Sequence, residues 1–205
     1  SIVRSAVRRY GLVNDRITVR RELSTEDRRQ CRDYGIRIGR FPTGKWNAIT
    51  DVEGVRVGHV THIEDDVESP EGNGEKTAIR TGITAVVPSD NDLFNNHLVA
   101  GGFILNGIGE MSGLTQAMEW GWLETPILLT NTMSLGHVHN GIIRYMLDKH
   151  PELGRKVEVV IPLIAETDDA FLNDVRLNPN TAEQTIRAIE EAESGPVPQG
   201  SVGGG

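Results

Sequence analysis

The chain has 205 residues, 38% apolar, 24% charged and 5% aromatic, a composition that supports one sizeable core and excludes a disordered polypeptide or several large domains. Its single cysteine, Cys31, excludes an internal disulfide framework and any multi-cysteine metal site within this chain. The net charge of −8 is unevenly divided, with 12 basic against 5 acidic side chains in residues 1–45 and 9 against 24 in the remainder; the acidic body argues against nucleic-acid binding, which needs clustered cations.

Residues 1–40 read as a basic N-terminal extension, and residues 41–205 as part of a single domain. Within the extension, Ser24-Thr25-Glu26-Asp27 followed by Arg28 and Arg29 predicts a capped, exposed helical segment. Its preferred role is packing on its own body or a neighbouring subunit, with recruitment of a polyanion as the sharper alternative. No stretch reaches the roughly 18 apolar residues of a membrane span, and the arginine-rich start lacks the apolar core of a secretory signal. A cytoplasmic protein with no membrane partner is expected.

From residue 47 strands alternate with helices, the pattern of a mixed α/β domain. Residues 55–60 alternate as a half-exposed strand, 64–76 read as a polar loop, and 77–87 form a longer β-rich run. Residues 101–105 predict a short buried strand, then a glycine-rich turn leads to a helix near 112–122. A buried strand at 126–130 precedes a helix over 137–150 carrying Val138, Ile142, Tyr145 and Met146, with Ser134 as its expected N-cap. Residues 157–165 form the most apolar strand. The last helix, about 181–194, opens on a Thr181 to Gln184 capping box with Ile186 and Ile189 inward. Gly203-Gly204-Gly205 suits a flexible tail or a backbone that passes close to another group.

Gly107, Gly109 and Gly113 sit between strand and helix like a relaxed dinucleotide fingerprint, but Glu110 stands where a pyrophosphate would bind. A carboxylate at such a turn suits a substrate ammonium group, and a helix-dipole role is the alternative. His59 with His62, and His137 with His139, lack the context of a zinc site, so no metal is expected. Glu166-Thr167-Asp168-Asp169 follows a buried strand, where turn chemistry and a site compete. No nucleophile elbow or phosphate loop appears.

Five blocks in order carry a resemblance. They are Asn47-Ala48-Ile49-Thr50-Asp51-Val52 with Gly54-Val55 and Val57-Gly58-His59; Thr81-Gly82-Ile83-Thr84; Asn106-Gly107 with Gly109-Glu110 and Gly113; Thr130-Asn131-Thr132 with Ser134 and Gly136; and Ser201-Val202-Gly203-Gly204-Gly205. From about Phe41 onward the chain resembles the L-aminopeptidase/D-esterase family, which includes the β-peptidyl aminopeptidases, and matches its α-chain portion. The resemblance implies an α/β fold: a four-layer αββα sandwich like that of N-terminal-nucleophile hydrolases but differently connected, completed by a β chain from the same precursor.

It further implies self-cleavage ahead of a serine or threonine, so that the nucleophile is not in this chain and no cofactor is needed. Glu110 is then expected to bind the substrate's free amine. Asn106 and Asn131 are expected pocket or oxyanion donors, and Tyr145 a hydroxyl donor with core packing as its alternative. The implied substrates are short peptides, amides or esters, and the implied assembly is a homo-oligomer of αβ units. The rival readings are an ω-amino oligomer amidase or acyltransferase on the same scaffold, and a non-catalytic binding or assembly protein.

Overall fold

The computed structural model describes residues 30–204, and the helical segment expected at 24–29 lies outside them. The chain divides into two units after Gly39. Among the described residues of the first, a 3-10 turn, Cys31–Tyr34, is closed at its start by the Asp33 carboxylate, which accepts the Gln30 N–H at 2.7 Å. Cys31 is a free, exposed thiol.

The second unit is organised on a five-stranded sheet. In chain order its elements are β1 (Arg56–Glu68), β2 (Lys76–Val87), β3 (Leu98–Val99), β4 (Met111–Ser112), α1 (Leu114–Glu119), β5 (Trp122–Leu123), β6 (Ile127–Asn131), α2 (Leu135–Lys149), β7 (Leu163–Thr167) and α3 (Ala182–Glu190). The sheet order is β1-β2-β6-β7-β4, and β3 pairs with β5 apart from it. β6 and β7 are parallel, joined through α2, whereas the other pairs are antiparallel.

Alternation decides which side of this sheet is covered. Val60, Ile83, Ala85, Leu128 and Ile164 point to one face, where they meet Val138, Ile142 and Met146 of α2 and Ala188 and Ile189 of α3 in the main core. On the other face Leu163 and Ile127 join Ala117 of α1 and Leu123 of β5 in a second, smaller cluster. Thr181 caps α3 by accepting the Gln184 N–H while the Gln184 side chain accepts the Thr181 N–H, so the capping box is formed as expected.

Four expectations change. β1 runs through the supposed loop to Glu68, crossing a bulge between Glu64 and Val67 where Asp66 takes φ 57°. Residues 101–105 are exposed and form no strand, because a short apolar run beside glycines carries no period that separates strand from loop. The helix expected over 112–122 is shorter, since Met111 and Ser112 pair with β7 before α1 begins. Residues 157–162 are irregular, with Val157, Val159 and Ile161 exposed; Pro162 cannot donate to a ladder, and pairing starts at Leu163 where β6 lies alongside.

Candidate active site

At the C-terminal end of β6 the chain turns directly into α2. Asn131, 1% exposed, closes that turn: its Oδ1 accepts the Ser134 N–H at 3.0 Å and its amide nitrogen donates to Thr81 Oγ1 at 2.7 Å. The expected cap, Ser134, makes no capping bond. Its hydroxyl donates instead to Asn178 Oδ1, whose own amide donates to the Met133 carbonyl at 3.1 Å.

Behind this turn lies Asn180, also 1% exposed. Its amide nitrogen is 3.0 Å from Ser134 Oγ and 3.2 Å from both Thr130 Oγ1 and the Gly82 carbonyl. Thr130 Oγ1 donates to that same carbonyl at 2.9 Å. One buried amide thus ties β2, β6, α2 and the approach to α3 together. Asn180 Oδ1 is buried without a hydrogen-bond partner among the described residues. In sequence Asn178 and Asn180 look like turn residues ahead of a helix; what sets them apart is their partners, Ser134 and Thr130 as well as Gly82, which only the folded chain brings to them.

Glu110 lies immediately before β4, exposed, with no ion pair or side-chain hydrogen bond among the described residues. Its carbonyl accepts the Glu166 N–H at 3.0 Å, so Glu110 and Glu166 are neighbours across the β4–β7 pair. Asn106 is on the same exposed loop as Glu110, and its Oδ1 accepts the Ile108 N–H at 3.1 Å, shaping the turn that precedes Gly109.

The fourth expected residue is not brought to this end of the sheet. Tyr145 stands ten residues into α2, roughly 15 Å along its axis from Leu135. It lines a separate cleft of about 380 Å³ with Arg56, Phe94, Pro126, Lys149 and His150, and the Lys149 ammonium lies 5.6 Å from its ring centre. It also packs on the main core.

The glycine segment near the end of the chain is held on the sheet face opposite α2 and α3. Gly203 N–H donates to Thr61 Oγ1 at 2.9 Å and Gly204 N–H to Thr84 Oγ1 at 3.0 Å. A side chain at Gly203 would strike Thr84 and His59, and one at Gly82 would strike the Gly203 and Val60 carbonyls. Of the two roles open for these glycines, the structure uses close approach. Beside them a cavity of about 170 Å³ is lined by Thr61, Arg80, Thr81, Asp168, Phe171 and Gly203. His59 and His62 point to opposite faces of β1, His62 towards Gln184 on α3 at 3.3 Å. No group of three or more potential metal ligands forms among the described residues, and no helix there is long and apolar enough to cross a membrane.

The mixed α/β sandwich resembles that of the N-terminal-nucleophile hydrolases, and comparison with known proteins identifies the branch. The chain belongs to peptidase family S58, whose family model matches residues 47–205. It is 38% identical over 177 residues to the β-peptidyl aminopeptidase BapA of Sphingosinicella microcystinivorans, covering 86% of this chain and 42% of that protein. Among solved structures it superposes on a Burkholderia sp. β-aminopeptidase with a TM-score of 0.75 at 39% identity, over 86% of this chain and 47% of the other. The L-aminopeptidase D-Ala-esterase/amidase of Ochrobactrum anthropi, a variant of the Ntn hydrolase fold, gives a TM-score of 0.74 at 33% identity, over 85% and 47%. The chain spans less than half the length of the curated relatives it matches.

Proposed function

We propose that this chain is the α portion of a self-processing serine or threonine aminopeptidase that releases N-terminal residues from short peptides, amides or esters through an acyl-enzyme. The observation that carries the reading is Glu110: an exposed carboxylate without a side-chain partner among the described residues, fixed by a strand pair within an S58 framework. A carboxylate so placed forms a charge-assisted contact with a free α- or β-ammonium. That contact favours substrates bearing a free amine over internal peptide bonds.

The chemistry follows from a nucleophile at the start of a β chain. Its hydroxyl attacks the substrate carbonyl while its own α-amine, with an ordinary pKa near 8, takes the hydroxyl proton; that proton passes to the leaving amine or alcohol as its bond to the carbonyl carbon breaks, and water then hydrolyses the ester, freeing the acid and restoring the hydroxyl. Asn106 on the Glu110 loop and the remaining amide hydrogen of Asn131 are the donors this chain offers to the pocket or the developing oxyanion. Tyr145, in its separate cleft, has no part in this reading.

The test is the intact mass of every polypeptide from the purified full-length precursor, with N-terminal sequencing of any smaller species and assay on free-amine peptides. A second chain beginning with Ser or Thr, together with release of N-terminal residues, is expected. A precursor that stays uncut, or a cut protein inert on every free-amine peptide, amide and ester, would overturn the reading.

A further inference from the structure

We propose that His59 is a positioning residue: as the neutral, Nε2-protonated tautomer it orients the Thr84 hydroxyl so that this hydroxyl seats the Gly203–Gly204 backbone, one wall of the cavity beside Thr61 and Arg80. The inference stands on hydrogen-bond arithmetic within this chain and does not require the peptidase reading.

Thr84 Oγ1 accepts the Gly204 N–H at 3.0 Å and lies 3.0 Å from His59 Nδ1. A threonine hydroxyl carries one proton and two lone pairs. With one lone pair given to Gly204, its proton goes to His59 Nδ1, provided that nitrogen is bare. A proton on Nδ1 would turn the contact round, leaving the Thr84 hydroxyl proton in a buried site with no acceptor among the described residues. Nε2 is buried and unpartnered among the described residues in either neutral form, so the choice is decided at Nδ1. The tautomer assigned here follows from this network.

The neutral state has its own support. Burial pushes the His59 pKa down from its ordinary value. The groups gathered around the contact are uncharged: Thr84 on β2, Thr61 on β1, Gly203 and Gly204 on the glycine segment, and the Leu129 carbonyl of β6 near Gly204. The charged groups on this face of the β1–β2 hairpin lie further along it: Arg80, two rows from Thr84, whose guanidinium is tied to Asp65 and to the Glu64 carbonyl, and Lys76 beyond it, while Asp168 and Asp169 line the far side of the cavity. No carboxylate pairs with His59 among the described residues. Acid therefore protonates Nδ1 and reverses the contact to Thr84; the orphaned hydroxyl proton then finds a partner only if the hydroxyl turns away from the Gly204 N–H, which releases the segment.

The test uses the full chain labelled with ¹⁵N. Long-range proton–nitrogen correlation reads the His59 tautomer, and hydrogen exchange reads protection of the Gly204 amide as a function of pH. The expected result is an Nε2–H ring, with Gly204 protection falling about tenfold, the worth of one hydrogen bond, as pH drops through the His59 titration. His59→Ala lowers protection by the same factor at neutral pH. His59→Asn, whose Oδ1 takes the place of Nδ1 as acceptor, restores it and abolishes its pH dependence. An Nδ1–H tautomer in the unaltered chain would overturn the proposal, as would Gly204 protection that is equal in parent and His59→Ala or fails to recover in His59→Asn. The tautomer measurement requires no variant, so a substitution that fails to fold leaves the proposal open to refutation.

Discussion

Glu110 and Glu166 meet across the β4–β7 pair through the 3.0 Å bond from the Glu166 N–H to the Glu110 carbonyl. Adjacent carboxylates on one sheet edge repel unless a cation joins them. Glu110→Gln keeps the shape and one acceptor but removes the charge. It is expected to lower kcat/KM for free-amine substrates about 10- to 100-fold, the scale of a charge-assisted hydrogen bond, while leaving release of the β chain near the parent rate. Steady-state assay beside a processing time course checks this, and equal loss of both activities would refute the ammonium role.

Gly109 makes room for that arrangement. Its φ of 139° is a backbone that L side chains rarely adopt, and an added Cβ would lie 2.5 Å from Glu166 Oε1. The carboxylate is a flexible end and can swing aside, whereas the backbone cannot change hand. Gly109→Ala is therefore expected to cost about 1–2 kcal/mol in urea unfolding, and Gly109→Ala/Glu166→Ala to recover only a small part. Full recovery in the double variant would assign the cost to collision.

Close approach is a different demand. At Gly82 an added methyl meets the Val60 and Gly203 carbonyls, both backbone atoms of paired segments. Gly82→Ala should destabilise by about 1–3 kcal/mol. Gly101, exposed with nothing within 4 Å of an added Cβ, should accept alanine within about 0.5 kcal/mol. Paired denaturation curves separate the two, and equal effects would show that the glycine segment does not lie against β2.

What the sequence made legible was local. The Thr181 capping box spans three residues and declares itself by residue type. The alternation at the start of β1 and the apolar face of α2 follow from period alone. Distance in sequence hid the rest. Asn131 reads as a turn residue until Thr81, fifty residues upstream, is placed on the neighbouring strand. The pairing of Glu110 with Glu166 depends on the register of two short strands that only the closed sheet fixes. The five motif blocks named the family because they were recognised as a set, yet they did not show that Asn131 already spends its Oδ1 and one amide hydrogen on holding a turn.

Asn180 tests the buried network. Its amide nitrogen faces oxygens of Ser134, Thr130 and Gly82, so a donor is required there. Asn180→Ala is expected to cost about 2–3 kcal/mol. Asn180→Asp, which sets an acceptor and a buried charge against those oxygens, should cost more. An aspartate variant more stable than the alanine variant at neutral pH would mean that the amide is oriented the other way.

The last prediction concerns pH. Asp174 holds the loop after β7 to the sheet, its N–H donating to the Ala78 carbonyl at 3.0 Å. Its carboxylate takes two bonds from Arg176, at 2.8 and 2.6 Å, and Arg176 also bridges to Glu71 at 2.7 Å, tying in the β1–β2 turn. The hydrogen bonds from the Arg176 side chain lower the Asp174 pKa; burial opposes the shift, while the Arg176 backbone N–H, its charge and the Thr77 hydroxyl add to it. A depressed folded-state pKa means that the unfolded chain binds this proton first as acid is added. The stabilisation is complete above the ordinary aspartate value near 4 and is lost as pH falls through the lower folded value. Asp174→Asn should therefore be less stable than the parent at pH 7, with the difference shrinking below about pH 4. Urea unfolding of both proteins at pH 7 and at about pH 3 decides it: a gap that is unchanged or wider in acid would show that Asp174 acts through shape and not through its charge.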